Sequence, residues 1–486
     1  MANCRAALTS ICLLVLFQQG FALAQSQPAT TTASASSPGF HLPSGSRANA
    51  LFIDNDGDGY GVACPNGADA DDADSTINTS QSMLARYSEL RAFLLAKGYK
   101  PRRLFFIAPG GDDRKGVSDH EEMPFATFAV VKRLMRPGDA VIWRQGVYDD
   151  SLAGEFPPIN GTQSDPFLFM AYPGEQAVIR NPSDAVRLAN SSYVIIDGLT
   201  LDSPKTDTGH GVSMLSSHHI TLRNLDSRHH ARGIIGMQNI KQLIIENCVL
   251  RENNPEHGIY LGCRDQANQD ITIRGCVVYK NLGHGIQHNG RVTNLRIEDN
   301  LVHTNSTAGI SLIQGVSDSV VRNNLIFNNN KQGIVFYYYD SDYASIGSYD
   351  QSRNAIEGNT IWVGRFSWDG EQEPKDYAAV LFSDDTKARQ ANMTGNAFRN
   401  NILVTDNGPA FWFKVRKFAD GSTVQNNLIH RAKGPMEAIK CEERLLAFPE
   451  MSVEWPAWAG NRFGDPRFPS VSITYYSRPE KFRFVE

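Results

Sequence analysis

The sequence has few cysteines, little net charge and no long apolar run beyond its N-terminal segment. Seven cysteines in 486 residues are too few for a disulfide scaffold. The formal net charge of −5 becomes +2 when the seven aspartates of one short segment are set aside, so bulk charge does not indicate a nucleic-acid partner. A content of 41% hydrophobic and 20% charged residues excludes both a disordered chain and a multi-span membrane protein.

The first residues have the pattern of an export signal. Arg5 precedes a largely apolar stretch over 6–21, and Ala22-Leu23-Ala24 is a small-x-small cleavage sequence. The apolar run is too short and too interrupted by glutamines for a membrane anchor. We expect a signal peptide over 1–24, a secreted protein without a membrane span, and a disordered Ser/Thr/Ala/Pro-rich linker over 25–49.

The next part of the chain contains an aspartate-rich module and two segments with helical periodicity. Residues 50–80 are an aspartate-rich loop module, and the leucines and aromatics that follow predict an amphipathic helix over 81–100. A second stretch over 125–135 ends before Pro137-Gly138. Beyond it the chain has short apolar runs and little helix signal, so we assign 101–486 to one β domain.

A glycine followed by isoleucine or valine recurs through the middle of the chain with spacings of 22 to 27 residues. Its copies are Gly211, Gly233, Gly258, Gly285, Gly309 and Gly333. A second repeated position lies within apolar runs and is occupied by Leu199, Leu225, Cys248, Cys276, Asn300, Asn324, Asn359, Asn401 and Asn427. A period in the twenties with two or three strands per repeat predicts a β-solenoid.

The charges two residues before this second position support the alignment. They alternate in sign without exception along Asp197, Arg223, Glu246, Arg274, Glu298, Arg322, Glu357 and Arg399. Equivalent residues of a parallel coil stack about 4.8 Å apart, so each charge lies between two opposite ones. This pattern predicts a structural ion-pair ladder, a stack of hydrogen-bonded asparagine amides, and packed thiols at Cys248 and Cys276.

These repeats, with EHGIYL over 256–261, GHGIQHNG over 283–290 and NNLIFNNNKQGIVF over 323–336, resemble secreted right-handed parallel β-helix proteins of the pectate-lyase-like superfamily. The resemblance implies an all-β, right-handed parallel β-helix whose first coil is capped by a short helix. It is specific for fold and not for activity, because the repeats mostly encode the coil. The superfamily includes polysaccharide lyases, uronate epimerases, glycoside hydrolases and non-catalytic surface proteins.

The acidic segment resembles the DxDGDGYG calcium repeats of thrombospondin-like proteins. The resemblance implies a Ca²⁺ site with alternating oxygen ligands and glycines that allow tight turns. The candidate ligands are Asp54, Asp56, Asp58, Asp69, Asp71, Asp72 and Asp74. Pro65 stands where an EF-hand needs a glutamate, so that motif is excluded, and a merely solvated acidic loop is the alternative.

The residues that precede the repeated glycines form a basic row. Four successive coils place His210, Arg232, His257 and His284 along about 14 Å. Further candidates near the row are Arg228, His230, Tyr260, Lys280 and His288. Such a strip suits an acidic polysaccharide, although a histidine in a coil corner is often only a turn residue that bonds to backbone.

β-Elimination at a uronate needs a clamp for the carboxylate, a base for the C5 proton and a proton donor for the leaving oxygen. We expect Arg232 to bind the carboxylate, His257 or Lys280 to act as base, and Tyr260 to return a proton. The resemblance to lyases, which use Lys or Arg bases, gives Lys280 equal standing with the histidines. The remaining candidates, expected to bind substrate, are His210, His284, His288, Arg228 and His230.

Three alternatives to a lyase remain open. Gly209-His210-Gly211 is similar to an element of polygalacturonase-like hydrolases, but the carboxylates that hydrolysis needs are missing from the matching coils. A uronate C5-epimerase abstracts the same proton as a lyase, and a non-catalytic protein could use the strip as a glycan-binding surface. The aromatic triplets 337–339 and 411–413 could stack on sugars or pack against the coil. We expect a monomer.

Overall fold

The structure of this chain is a computed structural model. It describes residues 51–154, 157–205, 207–339, 350–364, 377–386, 391–406, 408–432, 437–466, 472–474 and 483–485. The predicted signal peptide and linker, residues 1–24 and 25–49, lie outside the described residues. Within the described ranges, no helix has both the length and the apolar character needed to cross a bilayer.

Short strands wind repeatedly through three sheets and form a right-handed parallel β-helix, as the repeat predicts. The first sheet contains Leu104–Ile107, Ala140–Trp143, Phe167–Ala171, Ser192–Asp197, His218–Arg223, Lys241–Glu246, Asn268–Arg274, Val292–Glu298, Val316–Ser317, Val320–Arg322, Ala355–Glu357, Ala397–Arg399 and Thr423–Gln425. The second sheet contains Gly146–Tyr148, Ala177–Arg180, Thr200–Asp202, Asp226–Arg228, Val249–Arg251, Val277–Tyr279, Leu301–His303, Leu325–Phe327, Thr360–Val363, Ile402–Thr405, Leu428–Arg431 and Arg462–Phe463.

The third sheet carries the basic row at the start of its strands. It contains Leu152–Gly154, Val186–Ala189, His210–Leu215, Arg232–Met237, Ile259–Gly262, Ile286–Asn289, Ile310–Ile313, Ile334–Tyr338, Val380–Asp384, Phe411–Phe413, Glu437–Cys441 and Arg444–Ala447. Its last pair is antiparallel, whereas its other pairs are parallel. In the separate unit that includes residues 470–486, Ser472–Thr474 pairs with Arg483–Val485 in antiparallel fashion.

The described helices are short, and each buries at least one apolar side chain. They are Ser80–Tyr87, Leu90–Ala96, Phe128–Leu134, Arg416–Asp420 and Phe448–Glu454. Where the sequence predicts one helix over 81–100, the structure has two, because Ser88 adopts a φ of 61° that ends the first helix. Phe128, at the start of the third helix, packs 5.7 Å from Trp143 and 5.6 Å from Phe169, ring centre to ring centre.

The interior of the solenoid confirms the predicted stacks. The Asn300 amide nitrogen donates to the Asn324 oxygen at 2.9 Å, and the same contact continues through Asn359, Asn401 and Asn427. Cys248 and Cys276 are fully buried, and each thiol donates to a backbone carbonyl. The five cysteines in the described part of the chain are free thiols.

The alternating charges occupy successive strands of the first sheet in the predicted register. Arg223 pairs with Asp197 at 2.8 Å, Arg274 with Glu246 at 2.5 Å, and Arg322 with Glu298 at 2.9 Å. Strand pairing places Glu357 beside Arg399. These carboxylates therefore form a structural ladder rather than a reactive pair.

Candidate functional site

The register of the third sheet brings the basic row together. His210 pairs directly with Arg232, and the isoleucines at 234, 259, 286 and 310 are successive register partners. Because each row residue stands two positions before its isoleucine or valine, neighbouring row residues are one coil apart. The predicted alignment of the row is confirmed.

Arg232, Glu256, His257, Tyr260 and His284 form one side-chain cluster, called here the row cluster. The Arg232 guanidinium pairs with the Glu256 carboxylate and lies 5.3 Å from the centre of the Tyr260 ring. The Tyr260 ring stacks on His257 at 5.4 Å with an interplanar angle of 12°. His284 follows in the next coil, 5.3 Å from His257 between ring centres.

Backbone donors of the following coil fix the orientation of both imidazoles. The His257 Nδ1 accepts the backbone N–H of His284 at 2.9 Å, and the His284 Nδ1 accepts the backbone N–H of Ala308 at 3.2 Å. A neutral imidazole carries its proton on the nitrogen that does not accept, so both rings carry it on Nε2. The His257 Nε2 lies 3.6 Å from the Glu256 carboxylate.

Burial keeps the imidazoles of the row neutral. It holds the pKa of His257 well below its usual value, with further lowering from His284 and Arg232. Burial also lowers the pKa of His284 and of His210 to about 3. A neutral ring whose Nδ1 already accepts a backbone hydrogen bond has no free lone pair for a substrate proton. The base role expected for His257 therefore does not fit, and His257 and His284 are hydrogen-bond donors instead.

Two of the residues expected to bind substrate lie inside the solenoid. His288 is 1% exposed, and its Nε2 lies 3.2 Å from the Asn268 amide nitrogen. His230 is fully buried, and burial lowers its pKa to about 4. The side chains of both residues point into the solenoid, so a polysaccharide bound on the surface does not reach them. Their burial therefore gives no support to the expected substrate-binding role of either residue.

Lys280 and Arg228 belong to a second cluster, called here the charged corner, where the second sheet ends. The Lys280 amine pairs with Glu252 at 3.3 Å, and Lys280 is only 8% exposed. Arg228 lies 3.6 Å from Asp202 and 3.3 Å from the Asp226 carboxylate. The structure thus separates these two side chains from the contacts that join Arg232, His257 and Tyr260.

His229 occupies the centre of the charged corner. Its Nδ1 lies 2.8 Å from the Asp202 carboxylate, and its Nε2 lies 3.5 Å from Glu252. These two carboxylates raise the pKa of His229 to about 9, so the ring is protonated at neutral pH. Because its partners are Asp202 and Glu252, this histidine serves as a fixed positive charge.

The aromatic triplets divide between core and surface. Phe411 and Phe413 are fully buried in the core, whereas Trp412 between them is partly exposed. Tyr338 is buried, and Tyr337 stacks on Tyr339 at 5.3 Å. The alternation of strand side chains explains this division, since neighbouring residues point to opposite faces.

The aspartate-rich module brings several carboxylates together near its tight turns. Asp54, Asp56 and Asp58 each place one oxygen within 4.8 Å of the others. Burial, with nearby Asp58 and Asp56, raises the pKa of Asp69 to about 7. The Oδ2 atoms of Asp58 and Asp69 are buried without hydrogen-bond partners. A Ca²⁺ ion, which prefers carboxylate oxygens, fits this donor set.

Two of the candidate metal ligands are engaged elsewhere. Asp71 pairs with Lys97 at 2.5 Å, and Asp74 pairs with Arg86 at 3.4 Å. Asp72 instead accepts two hydrogen bonds from Asn55, and burial raises its pKa to about 7. Asp54, Asp56, Asp58, Asp69 and Asp72 are therefore the residues that would hold a cation.

A cavity of about 710 Å³ lies between this module and the first two sheets. Its lining includes Lys97, Tyr99, Arg223 and Glu246. Arg223 belongs to the ion-pair ladder, and its guanidinium lies 5.0 Å from the Tyr99 ring centre. The cavity is distinct from the row cluster, and we assign it to the packing of the module on the coil.

Comparison with protein families agrees with the solenoid. A family model described as right-handed beta helix region matches residues 184–361. Pectate lyase Pel9A is 14% identical with a TM-score of 0.43, over 63% of this chain and 81% of that chain. The A-module of mannuronan C-5 epimerase AlgE4 from Azotobacter vinelandii is 15% identical with a TM-score of 0.39, over 62% and 82%.

A third solved structure, DFA-IIIase from Arthrobacter chlorophenolicus A6, is 12% identical with a TM-score of 0.43, over 63% of this chain and 74% of that chain. No curated protein matches the sequence. Similarity at this level does not assign a reaction, so the chemistry has to be argued from the residues of this chain.

The sequence reasoning missed Glu256 as a member of the site. Glu256 immediately precedes a row histidine, and that position in the turn was its only signal. Its pairing with Arg232 in the preceding coil depends on how the turn between the second and third sheets projects, which the repeat does not specify.

Proposed function

We propose that this protein binds an acidic, uronate-containing polysaccharide on its third sheet and cleaves it by β-elimination. The observation that carries the proposal is the contact of Arg232 with Tyr260 beside two fixed imidazole donors. Arg232 already pairs with one carboxylate, that of Glu256, and guanidinium groups bind carboxylates strongly.

The roles follow from the protonation of each group. Arg232 binds the uronate carboxylate and stabilises the charge that develops when the C5 proton leaves. Tyr260 accepts that proton in its phenolate form, which the Arg232 cation 5.3 Å from its ring centre favours. The C5 electrons then form the C4–C5 double bond as the C4–O bond breaks. Tyr260 then returns the proton to the leaving oxygen. The Nε2–H groups of His257 and His284 donate hydrogen bonds to sugar oxygens.

The test is incubation with pectate, alginate and a glycosaminoglycan, followed by ultraviolet absorbance of the unsaturated uronate. Activity should disappear in Tyr260→Phe and Arg232→Gln and persist in Tyr193→Phe, a control on the first sheet. New reducing ends without this absorbance would indicate a hydrolase, and altered uronate composition without cleavage an epimerase. Binding without any product would leave a glycan-binding protein, and these three outcomes all contradict the lyase.

We also propose that the aspartate-rich module binds structural Ca²⁺. Two buried carboxylate oxygens without partners, on Asp58 and Asp69, support this proposal. Calcium should raise the melting temperature of the wild type and have little effect on Asp58→Asn. Asp74→Asn is the matched control, because Asp74 pairs with Arg86, and it should respond like the wild type. An unchanged wild-type melting temperature would remove the metal site.

We also propose that the protein is exported, which the apolar stretch over 6–21 and the small-x-small sequence at 22–24 support. The predicted cleavage after Ala24 would give a mature chain that begins at Gln25. Mass spectrometry of the protein recovered outside the cytoplasm of an expressing bacterium measures this mass. Recovery of the uncleaved chain from the cytoplasm alone would contradict it.

A further inference from the structure

The pairing of Arg232 with Glu256 has a consequence for ligand selection. We infer that Glu256 is an internal competitor for the ligand carboxylate, occupying Arg232 until a uronate displaces it. The inference rests on the proposed function, because it takes Arg232 as the group that binds the uronate.

The contact between the two side chains uses only part of the guanidinium. The Arg232 Nη2 pairs with one oxygen of Glu256, whereas the Arg232 Nε is buried without a hydrogen-bond partner. A guanidinium binds a carboxylate best through two parallel hydrogen bonds. A ligand carboxylate that contacts both Nε and Nη2 therefore gains a hydrogen bond that Glu256 does not make.

Glu256 is also placed so that its side chain can leave. Its side chain is 35% exposed, whereas that of Arg232 is 21% exposed. Its backbone N–H is fixed by the Ala231 carbonyl at 3.2 Å, so displacement needs only a side-chain rotation.

The consequence is selection by charge. A neutral sugar has no group that matches the Glu256 carboxylate as a partner for Arg232, so it leaves the internal ion pair intact. A uronate replaces one carboxylate with another and gains the second hydrogen bond. Because every ligand has to compete with Glu256 for Arg232, Glu256 weakens the binding of all ligands. It weakens the binding of neutral polymers most, and this difference in affinity is the source of specificity.

The experiment is calorimetric binding of three probes of equal length, an oligogalacturonate, an oligomannuronate and a neutral oligoglucan. Glu256→Gln should bind the better acidic probe about fivefold more tightly than the wild type, as expected for loss of a partly exposed ion pair. It should also gain measurable affinity for the neutral probe. Glu252→Gln, which alters a glutamate of the charged corner, is the matched control and should bind like the wild type.

The outcomes separate this inference from the proposed function. Equal or weaker acidic binding by Glu256→Gln, with an unchanged melting temperature, would overturn the internal competitor. If Glu256→Gln does not fold, Glu256→Asp replaces it, and its shorter side chain should give the same gain in affinity. Wild-type binding that survives Arg232→Gln would overturn the assigned role of Arg232, and failure of the wild type to bind any acidic probe would overturn both.

Discussion

The row cluster and the charged corner hold histidines in opposite protonation states at the two ends of the same turns. In the row cluster, burial and backbone donors keep His257 and His284 neutral. In the charged corner, Asp202 and Glu252 keep His229 protonated. Groups in the adjacent coils, rather than the local sequence, therefore set the protonation state of a histidine in this solenoid.

The protein should lose much of its stability in acid, because its buried neutral histidines must stay unprotonated. The folded pKa is about 4 for His230 and about 3 for His288, against 6.5 in an unfolded chain. Their stabilising contribution is present above pH 6.5 and is lost as the pH falls toward these values. At about pH 4.5 the two together should cost about 5 kcal/mol, measured by urea unfolding.

His288→Gln is the variant that isolates this effect, because glutamine keeps a polar group beside Asn268 and does not titrate. Its free energy of unfolding should fall less between neutral and acidic pH than that of the wild type. An identical pH slope in both proteins would show that another group dominates the acid response.

Matched arginine substitutions distinguish the row cluster from the charged corner by their effects on activity. Arg232→Lys removes the planar fork that binds a carboxylate, so turnover or binding of the acidic polymer should fall about 100-fold. Arg251→Lys makes the same change in the charged corner, where Arg251 pairs with Asp226 at 3.0 Å. It should lower thermal stability and leave the kinetic constants close to those of the wild type. The reverse pattern would place the reaction at the corner.

His229 gives a smaller effect with the opposite pH dependence from His230 and His288. Its protonated form is the stabilised one, so its contribution is complete below pH 6.5 and is lost as the pH rises through about 9. After allowance for solvent screening, the contribution should be about 1 kcal/mol. In urea unfolding, His229→Gln should be less stable than the wild type near neutral pH and equal to it above pH 9. A constant difference across this range would contradict the ion pairs.

A further prediction tests the donor role of His257. Glutamine supplies an N–H group that can replace Nε2–H, whereas phenylalanine keeps the ring shape without a donor. Affinity for an acidic oligosaccharide should fall less than about threefold in His257→Gln and about tenfold in His257→Phe, the range of one hydrogen bond. Complete loss of turnover in His257→Gln with intact binding would restore a base role to this residue.

The coil and its register could be predicted from the sequence because stacking repeats the same contact in every winding. Alternation of Asp197, Arg223 and Glu246 fixes which residues are neighbours, and the structure agrees. The broken helix near residue 88 was not predictable, because Ser88 adopts a left-handed backbone conformation that its residue type does not favour.

The candidate site was predictable only as a row. The position of His257 follows from the repeat, but its proton position depends on a backbone donor in the next coil. The side chains of His230 and His288 point inward because of the geometry of a turn and the face of a strand on which they lie. Composition does not reveal either. The pairing of Glu256 with Arg232 is likewise a contact between loops, whose paths vary more than the strands they connect.

The amide stack inside the solenoid also bears on how such a chain can acquire new parts. Successive asparagines of the stack are 24, 35 and 42 residues apart in sequence, yet each contact measures 2.9 to 3.0 Å. Windings of unequal contour length therefore share one pitch along the asparagine stack. An insertion can therefore lengthen one winding while the axial spacing of the asparagines stays constant, which makes the solenoid a tolerant host for added sequence.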